Sequence, residues 1–262
     1  MDQTSIIDTA HAVADAARSA VLPFFRSAAL IADNKDSAGF DPVTEGDRAA
    51  ERAMREILAV RRPQDGILGE EYGAQTGRSG LTWVLDPIDG TRGFLSGTPT
   101  WGVLVAVSDA NGPVYGLIDQ PYIGERFEGG FGLARMSGPQ GAAPLRALGD
   151  RPFDQSILFT TFPEIGTAAE RAAFHAVSEQ VRLTRYGMDC YAYALLAAGQ
   201  IDLVIEAGLA AYDIQAPIAV IQAAGGIISN WQGSPVHQGG RVVAASGRAQ
   251  YEAALAILSQ VP

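Results

Sequence analysis

Residues 83–91 read Trp83-Val84-Leu85-Asp86-Pro87-Ile88-Asp89-Gly90-Thr91. An apolar run with the character of a strand ends in two carboxylates three residues apart, and a glycine and a hydroxyl follow at once. Carboxylates so placed can grip hard divalent cations while the next backbone N–H groups hold an oxyanion. The word points to metal-dependent phosphate chemistry. A turn would account for Asp89-Gly90, and a strand terminator for Asp86-Pro87. A turn, however, requires neither the first aspartate nor the Thr91 hydroxyl. The aspartyl-phosphate route of haloacid-dehalogenase-type phosphatases wants acids two apart, in an Asp-x-Asp-x-Thr word, so the register here is wrong for it.

Upstream of this word, Ile6, Ile7, Ala10, Val13, Ala14, Ala17, Val21 and Phe24 recur at helical spacing, which predicts a helix over Ser5 to Phe25. A second helix is predicted from Gly46 to Arg62, ended by Pro63, with the polar stretch Asp33 to Asp47 as a loop between the two. Strands are expected at Gly66 to Gly69, Thr82 to Asp86, Trp101 to Ser108 and Val114 to Asp119. Asp109-Ala110-Asn111-Gly112 is a turn signal that makes the last two an antiparallel hairpin. The Gly, Pro and Ala-rich segment Ser137 to Asp150 is the expected boundary between an N-terminal part, residues 1–145, and a C-terminal part, residues 146–262. Beyond it, strands at Ile157 to Thr161, Ile201 to Glu206, Gly226 to Asn230 and Val242 to Ser246 mix with helices. Those helices are expected at Thr167 to Gln180, Asp189 to Ala198, Asp213 to Ala224 and Arg248 to Gln260. This alternation predicts a layered α/β fold.

The chain has 262 residues, 47% apolar and 18% charged, enough for a large core. A net charge of −10 argues against a nucleic-acid surface. An acidic protein should also repel an anionic ester unless bound cations invert the local sign, so the acidity favours metal assistance. The single cysteine, Cys190, gives no disulfide framework; it lacks the arginine six residues on that a cysteine phosphatase needs, and reads as a small buried thiol. Neither a signal peptide nor a membrane-spanning run is apparent, so a cytoplasmic protein without a membrane partner is expected. The three histidines have no metal-ligand spacing, there is no Gly-x-x-x-x-Gly-Lys loop, and Lys35 is the only lysine.

Several further acids invite two readings. Glu70 and Glu71 follow a short strand, where neighbours point to opposite faces, so at most one enters a given site; otherwise they form a solvated loop. Asp213 and Asp189 stand before helices, where an aspartate serves as an N-cap, with Pro217 in the first turn after Asp213. Glu206 ends a strand and could face solvent.

Four words occur in order: Pro42-Val43-Thr44-Glu45-Gly46-Asp47, Gly69-Glu70-Glu71, Trp83 to Thr91, and Tyr212-Asp213. Together they resemble the inositol monophosphatase family over essentially the whole chain. The resemblance implies alternating αβαβα layers, a homodimer and a site using two or three Mg²⁺ ions. It makes Glu70, Asp86, Asp89 and Asp213 metal ligands, with the Ile88 carbonyl. Asp47 and Thr91 would orient the attacking water, Asp47 also near a third metal, and the Gly90 and Thr91 N–H groups would hold phosphate. Converging carboxylates raise one another's pKa, and the ions would offset that charge and stabilise an in-line displacement.

Within the family the chain is most similar to the histidinol-phosphate phosphatase branch. The marks are Asp86 to Phe94 with Arg92, Gly116-Leu117-Ile118-Asp119-Gln120-Pro121 with Glu125-Arg126, and Gly187-Met188-Asp189-Cys190-Tyr191-Ala192-Tyr193. The resemblance implies L-histidinol phosphate as substrate, in histidine biosynthesis. Its ammonium and imidazole would pair with Asp189 and Glu206, with Arg92 and Arg185 as further substrate-end candidates. Gly93, in place of a larger residue, and Tyr212, where tryptophan is common, depart from the family pattern without removing a ligand. Inositol 1-phosphate, fructose 1,6-bisphosphate and adenosine 3′,5′-bisphosphate are the alternatives, the last two wanting a more basic pocket. A non-catalytic scaffold should have lost a ligand, and all the matched acids are present.

Overall fold

The structure is a computed structural model that describes residues 2–27, 32–34 and 42–261. Helix α1 (Gln3–Val21) starts earlier than its apolar pattern because Asp2 caps it, accepting the Ser5 N–H at 3.1 Å. Helix α2 (Glu45–Arg61) follows an antiparallel ribbon of β1 (Ala32–Asn34) and β2 (Pro42–Thr44). The stretch expected as a loop from Asp33 to Asp47 therefore includes β2 and the first turn of α2; Lys35 lies outside the described residues.

Eight strands form the first sheet: β3 (Gly66–Gly69), β4 (Gly73–Gln75), β5 (Thr82–Asp89), β6 (Gly102–Asp109), β7 (Gly112–Gln120), β8 (Glu125–Gly130), β9 (Leu133–Gly138) and β10 (Gly141–Pro144). Their order is β10-β9-β8-β7-β6-β5-β3-β4, and only β3 and β5 run parallel. The short helix α3 (Thr91–Ser96) links β5 to β6. The β6–β7 hairpin turns at Asp109–Gly112, as the sequence predicts. The expected boundary segment, Ser137 to Asp150, contains the end of β9 and all of β10. The second sheet has the order β12-β11-β13-β15-β14. Its strands are β11 (Ile157–Thr160), β12 (Leu183–Tyr186), β13 (Leu203–Leu209), β14 (Ile227–Ser229) and β15 (Gly240–Ala245). Helices α4 (Ala168–Ser178), α5 (Asp189–Ala197), α6 (Ala211–Ala223) and α7 (Arg248–Leu258) complete it.

Strand alternation sorts the core into layers. Trp83, Leu85, Val103, Val105 and Val107 face α1 and α2, whereas Val84, Leu104 and Ala106 face α5 and α6. Val204, Val242 and Ala244 of the second sheet press on the same two helices from the other side, while Leu203, Ile205 and Val243 face α4 and α7. The result is the αβαβα arrangement that the sequence resemblance implies, with α5 and α6 as the shared middle layer. Helix α6 approaches the first sheet across two directly paired glycines, Gly116 and Gly129. A Cβ on Gly129 would stand 2.6 Å from the Val220 Cα, and one on Gly116 2.9 Å from the Ala216 Cα. Gly129→Ala is accordingly expected to cost about 1–3 kcal/mol by overpacking, measured by urea unfolding.

Candidate metal centre

Asp86 and Asp89 are three residues apart, and in a regular strand they would point to opposite faces. They do not, because β5 carries a bulge: Asp86 pairs with Leu104 and Asp89 with Gly102, three residues against two. The extra residue returns both carboxylates to one side. Asp86 Oδ1 secures the bulge by accepting the Ile88 N–H at 3.0 Å. The strand thus runs through Pro87 to Asp89 instead of ending at Asp86-Pro87.

Asp213 arrives from the middle layer. It is the third residue of α6 and not the N-cap the sequence suggested; its carboxylate reaches back to accept the Ala210 N–H at 2.7 Å. Pro217 is the seventh residue, beyond the first turn. Oxygens of Asp86, Asp89 and Asp213 lie within 4.8 Å of one another. Among the described residues this is the group able to share a metal ion.

Burial and crowding show in the acid strengths. Asp86, 1% exposed, is held well above the usual carboxylate range by burial first and then by Glu70, Asp89, Asp213 and Asp47. Asp89 is raised by burial, Asp189 and Asp213, opposed by the Cys190 N–H that donates to it at 2.5 Å. Glu70 lies outside the 4.8 Å trio yet is the strongest neighbouring charge on Asp86. Glu70 and Glu71 are both half-buried and not a fully solvated loop. The donors are all oxygens, with no histidine or thiolate, and Ile88, whose carbonyl accepts the Thr91 hydroxyl, is buried between Asp86 and Asp89 in sequence. That chemistry fits a hard divalent cation.

Asp47 is seated by its own helix start. Its Oδ2 accepts the Thr44 N–H at 2.7 Å and the Thr44 hydroxyl at 2.6 Å, a reciprocal cap on α2. Oδ1 remains toward the Thr91 hydroxyl, which is 3.5 Å away and donates more closely, at 3.2 Å, to the Ile88 carbonyl. Gly90 precedes Thr91 at φ +88, in the left-handed region, and turns the chain into α3.

A second acidic region adjoins the trio. Asp189 is the first residue of α5, where the sequence starts that helix, and stands at φ +46, strained for an aspartate. Its carboxyl fills a notch left by two glycines. A Cβ on Gly90 would come within 2.7 Å of the Asp189 Cγ, and one on Gly93 within 3.3 Å of its Oδ2. Burial pushes Asp189 up to about 6, with Arg92 opposing. Glu206 is also buried, within β13, and does not face solvent. Its Oε1 accepts the Thr161 N–H at 2.7 Å and hydroxyl at 2.9 Å, and its Oε2 the Thr160 hydroxyl at 3.2 Å. Burial still pushes it up to about 7, the Thr161 bonds opposing and Asp189 adding to the rise. Arg92 is exposed, its guanidinium 4.8 Å from the centre of the Phe162 ring. Arg185 lies exposed on the edge strand β12, opposite Phe159 of β11.

The sequence reading passed over two neighbours. The Tyr193 hydroxyl is buried with no hydrogen-bond partner among the described residues, and Glu206, Asp89 and Asp213 are the charges that act on it. Its place four residues after Asp189, on the same face of α5, was the available signal. Glu51 stands four residues after Asp47 on α2 and is fully buried. Cys190 is the buried thiol expected.

The chain is 39% identical over 226 residues to a bifunctional phosphatase, IMPL2, of Arabidopsis thaliana, a match covering 85% of this chain and 63% of the relative. It therefore spans less than two thirds of that protein's length. It is 33% identical over 210 residues to a histidinol-phosphatase of Mycobacterium tuberculosis, covering 79% of this chain and 80% of the other. Among solved structures, an inositol monophosphatase from Zymomonas mobilis superposes with a TM-score of 0.86 at 37% identity, covering 99% of both chains. The sequence pattern of the inositol monophosphatase family matches residues 2–262, and the chain belongs to that family.

Proposed function

We propose that this protein is a Mg²⁺-dependent phosphomonoesterase that hydrolyses L-histidinol phosphate to L-histidinol and phosphate. The observation that carries the substrate choice is the pair of buried carboxyls, Asp189 and Glu206, next to the Asp86–Asp89–Asp213 trio. A cationic leaving alcohol is what such a pair recognises, and burial strengthens each charge-assisted bond. Glu70, Asp86, Asp89, Asp213 and the Ile88 carbonyl would hold two or three Mg²⁺, Asp47 contributing to a third. When bound, Mg²⁺ supplies charge neutralisation and an acidified water. The chain's own groups supply position. Asp47, fixed by Thr44, and the Thr91 hydroxyl line the place of the attacking water, and Asp47 can accept its proton. The first N–H groups of α3, at Gly90 and Thr91, have no intrahelical acceptor and are suited to phosphate oxygens. Water adds to phosphorus, the ester P–O bond breaks on the opposite side, and the alkoxide leaves as the alcohol on taking up a proton. Arg92, over the Phe162 ring, and Arg185 would contribute at the substrate end.

As the resemblance implies, the reading extends to a cytoplasmic homodimer serving histidine biosynthesis. Among the described residues, no helix is long and apolar enough to cross a membrane. The likeness to the Zymomonas mobilis inositol monophosphatase favours one second reading, inositol 1-phosphate as substrate.

Phosphate release from histidinol phosphate, inositol 1-phosphate, fructose 1,6-bisphosphate and adenosine 3′,5′-bisphosphate, each with Mg²⁺ and with chelator, tests both readings. Histidinol phosphate should be preferred, chelator should abolish release from every ester, and Asp89→Asn should abolish turnover. A preference for the inositol ester would select the second reading.

Because burial raises Asp189 and Glu206, both are neutral in acid and gain charge as pH rises through about 6 and about 7. The carboxyls gain charge there while the substrate imidazole loses its own, so KM for histidinol phosphate relative to that for inositol 1-phosphate should pass through a minimum in that window, read from paired pH profiles. A raised carboxyl contributes stability below its unfolded pKa and loses it as pH rises through the folded one. In chelator at neutral pH, Asp86→Asn should therefore raise the melting temperature, and the gain should vanish in acid.

A further inference from the structure

Glu70 sits in the tight turn between β3 and β4, and the backbone on both sides of it is held from outside the turn. Before it, the Glu70 N–H donates to the Leu85 carbonyl at 3.2 Å, one residue from Asp86 on β5. After it, α2 takes over. Glu51 Oε2 accepts the Glu71 N–H at 2.6 Å, and Oε1 accepts the Tyr72 N–H at 3.3 Å. Arg55, one helical turn further, donates Nε to Glu51 Oε1 at 2.7 Å and Nη2 to the Gly73 carbonyl at 2.5 Å. Three consecutive residues following Glu70 are thus gripped by two side chains of one helix.

This grip has a charge and a shape. Glu51 is fully buried and Arg55 mostly so, which makes the bonds between them charge-assisted and poorly screened. The Glu51 carboxylate lies flat against Gly69, where a Cβ would run into it. Asp47, Glu51 and Arg55 follow one another at four-residue intervals, along one face of α2. The same face therefore carries Asp47 toward Thr91 and anchors the turn that bears Glu70.

We propose that Glu51 and Arg55 are positioning residues for Glu70, setting its carboxylate against the Asp86–Asp89–Asp213 trio and so setting the affinity for the divalent cation; the proposal rests on Glu70 being a metal ligand. A glutamine at 51 keeps the size of the side chain but offers one acceptor oxygen where three donors converge. Its amide hydrogens would face an N–H or the guanidinium. The turn then loses part of its hold while the trio is untouched.

The test is calorimetric titration of the full chain with Mg²⁺ alone, for wild type, Glu51→Gln, Arg55→Gln and Glu70→Gln, with melting temperatures taken in chelator. Glu51→Gln and Arg55→Gln should each weaken Mg²⁺ binding about tenfold, in line with the effect of removing groups that orient metal ligands. Activity lost at low Mg²⁺ should be recovered at high Mg²⁺, which a merely structural role would not produce. Should Glu51→Gln fail to fold, Arg55→Gln decides alone. Wild-type Mg²⁺ affinity in Arg55→Gln, with Glu70→Gln impaired, would overturn the positioning role. Wild-type affinity in Glu70→Gln would instead overturn the reading of Glu70 as a ligand.

Discussion

Like charges placed together away from water repel one another strongly, and the architecture around Asp86, Asp89 and Asp213 is organised to hold such a group. Asp86 is almost wholly buried, and each of its charged neighbours makes ionisation harder. Backbone donors restrain each member: the Ile88 N–H on Asp86, the Cys190 N–H on Asp89 and the Ala210 N–H on Asp213. Main-chain donors restrain a carboxylate without a counter-charge, so the negative potential is preserved for a cation. This also reconciles an acidic protein with an anionic ester, since the attraction is supplied by whatever the acids bind.

The layering explains how distant segments meet. β5 delivers two of the acids, Asp86 on the same side of the sheet as Val84 and its pairing partner Leu104; α6 delivers the third from the middle layer, and α2 contributes Asp47. Since α5 and α6 are packed between both sheets, Asp189 and Glu206 share the same neighbourhood: one opens α5 and the other lies on the strand beneath it. The acidic trio and the Asp189–Glu206 pair are therefore brought together by a single helical layer.

Much of this was legible in the residues. Strongly periodic helices such as α1, α2 and α7 were readable to within a few positions, as was the β6–β7 hairpin, because burial writes itself into apolar spacing. The Asp86 to Thr91 word was legible as chemistry. Its geometry was not, since a bulge depends on the partner strand's register and leaves no mark in one strand's composition. β8, β9 and β10 were missed because glycine, alanine and arginine give them little alternation. The start of α6 was placed at Asp213, two residues late, because an aspartate in the first turn and one at the cap look alike in sequence. Glu51 passed unnoticed because a glutamate on an amphipathic helix ordinarily faces water, and only the position of the β3–β4 turn turns it inward.

The paired glycines under α6 carry a consequence beyond packing. Helix and sheet there meet backbone to backbone, so the separation of Asp213 from Asp86 and Asp89 is set by main-chain radii and not by compressible side chains. Such a joint acts as a fixed gauge: the gap between the acids cannot drift as the surrounding core is repacked. Freedom to vary is thereby concentrated at the α5 end of the same layer, where Gly90 and Gly93 leave a notch that a differently sized residue at position 189 could fill. The molecule separates a part whose spacing is fixed by backbone contact from a part whose shape is set by one side chain.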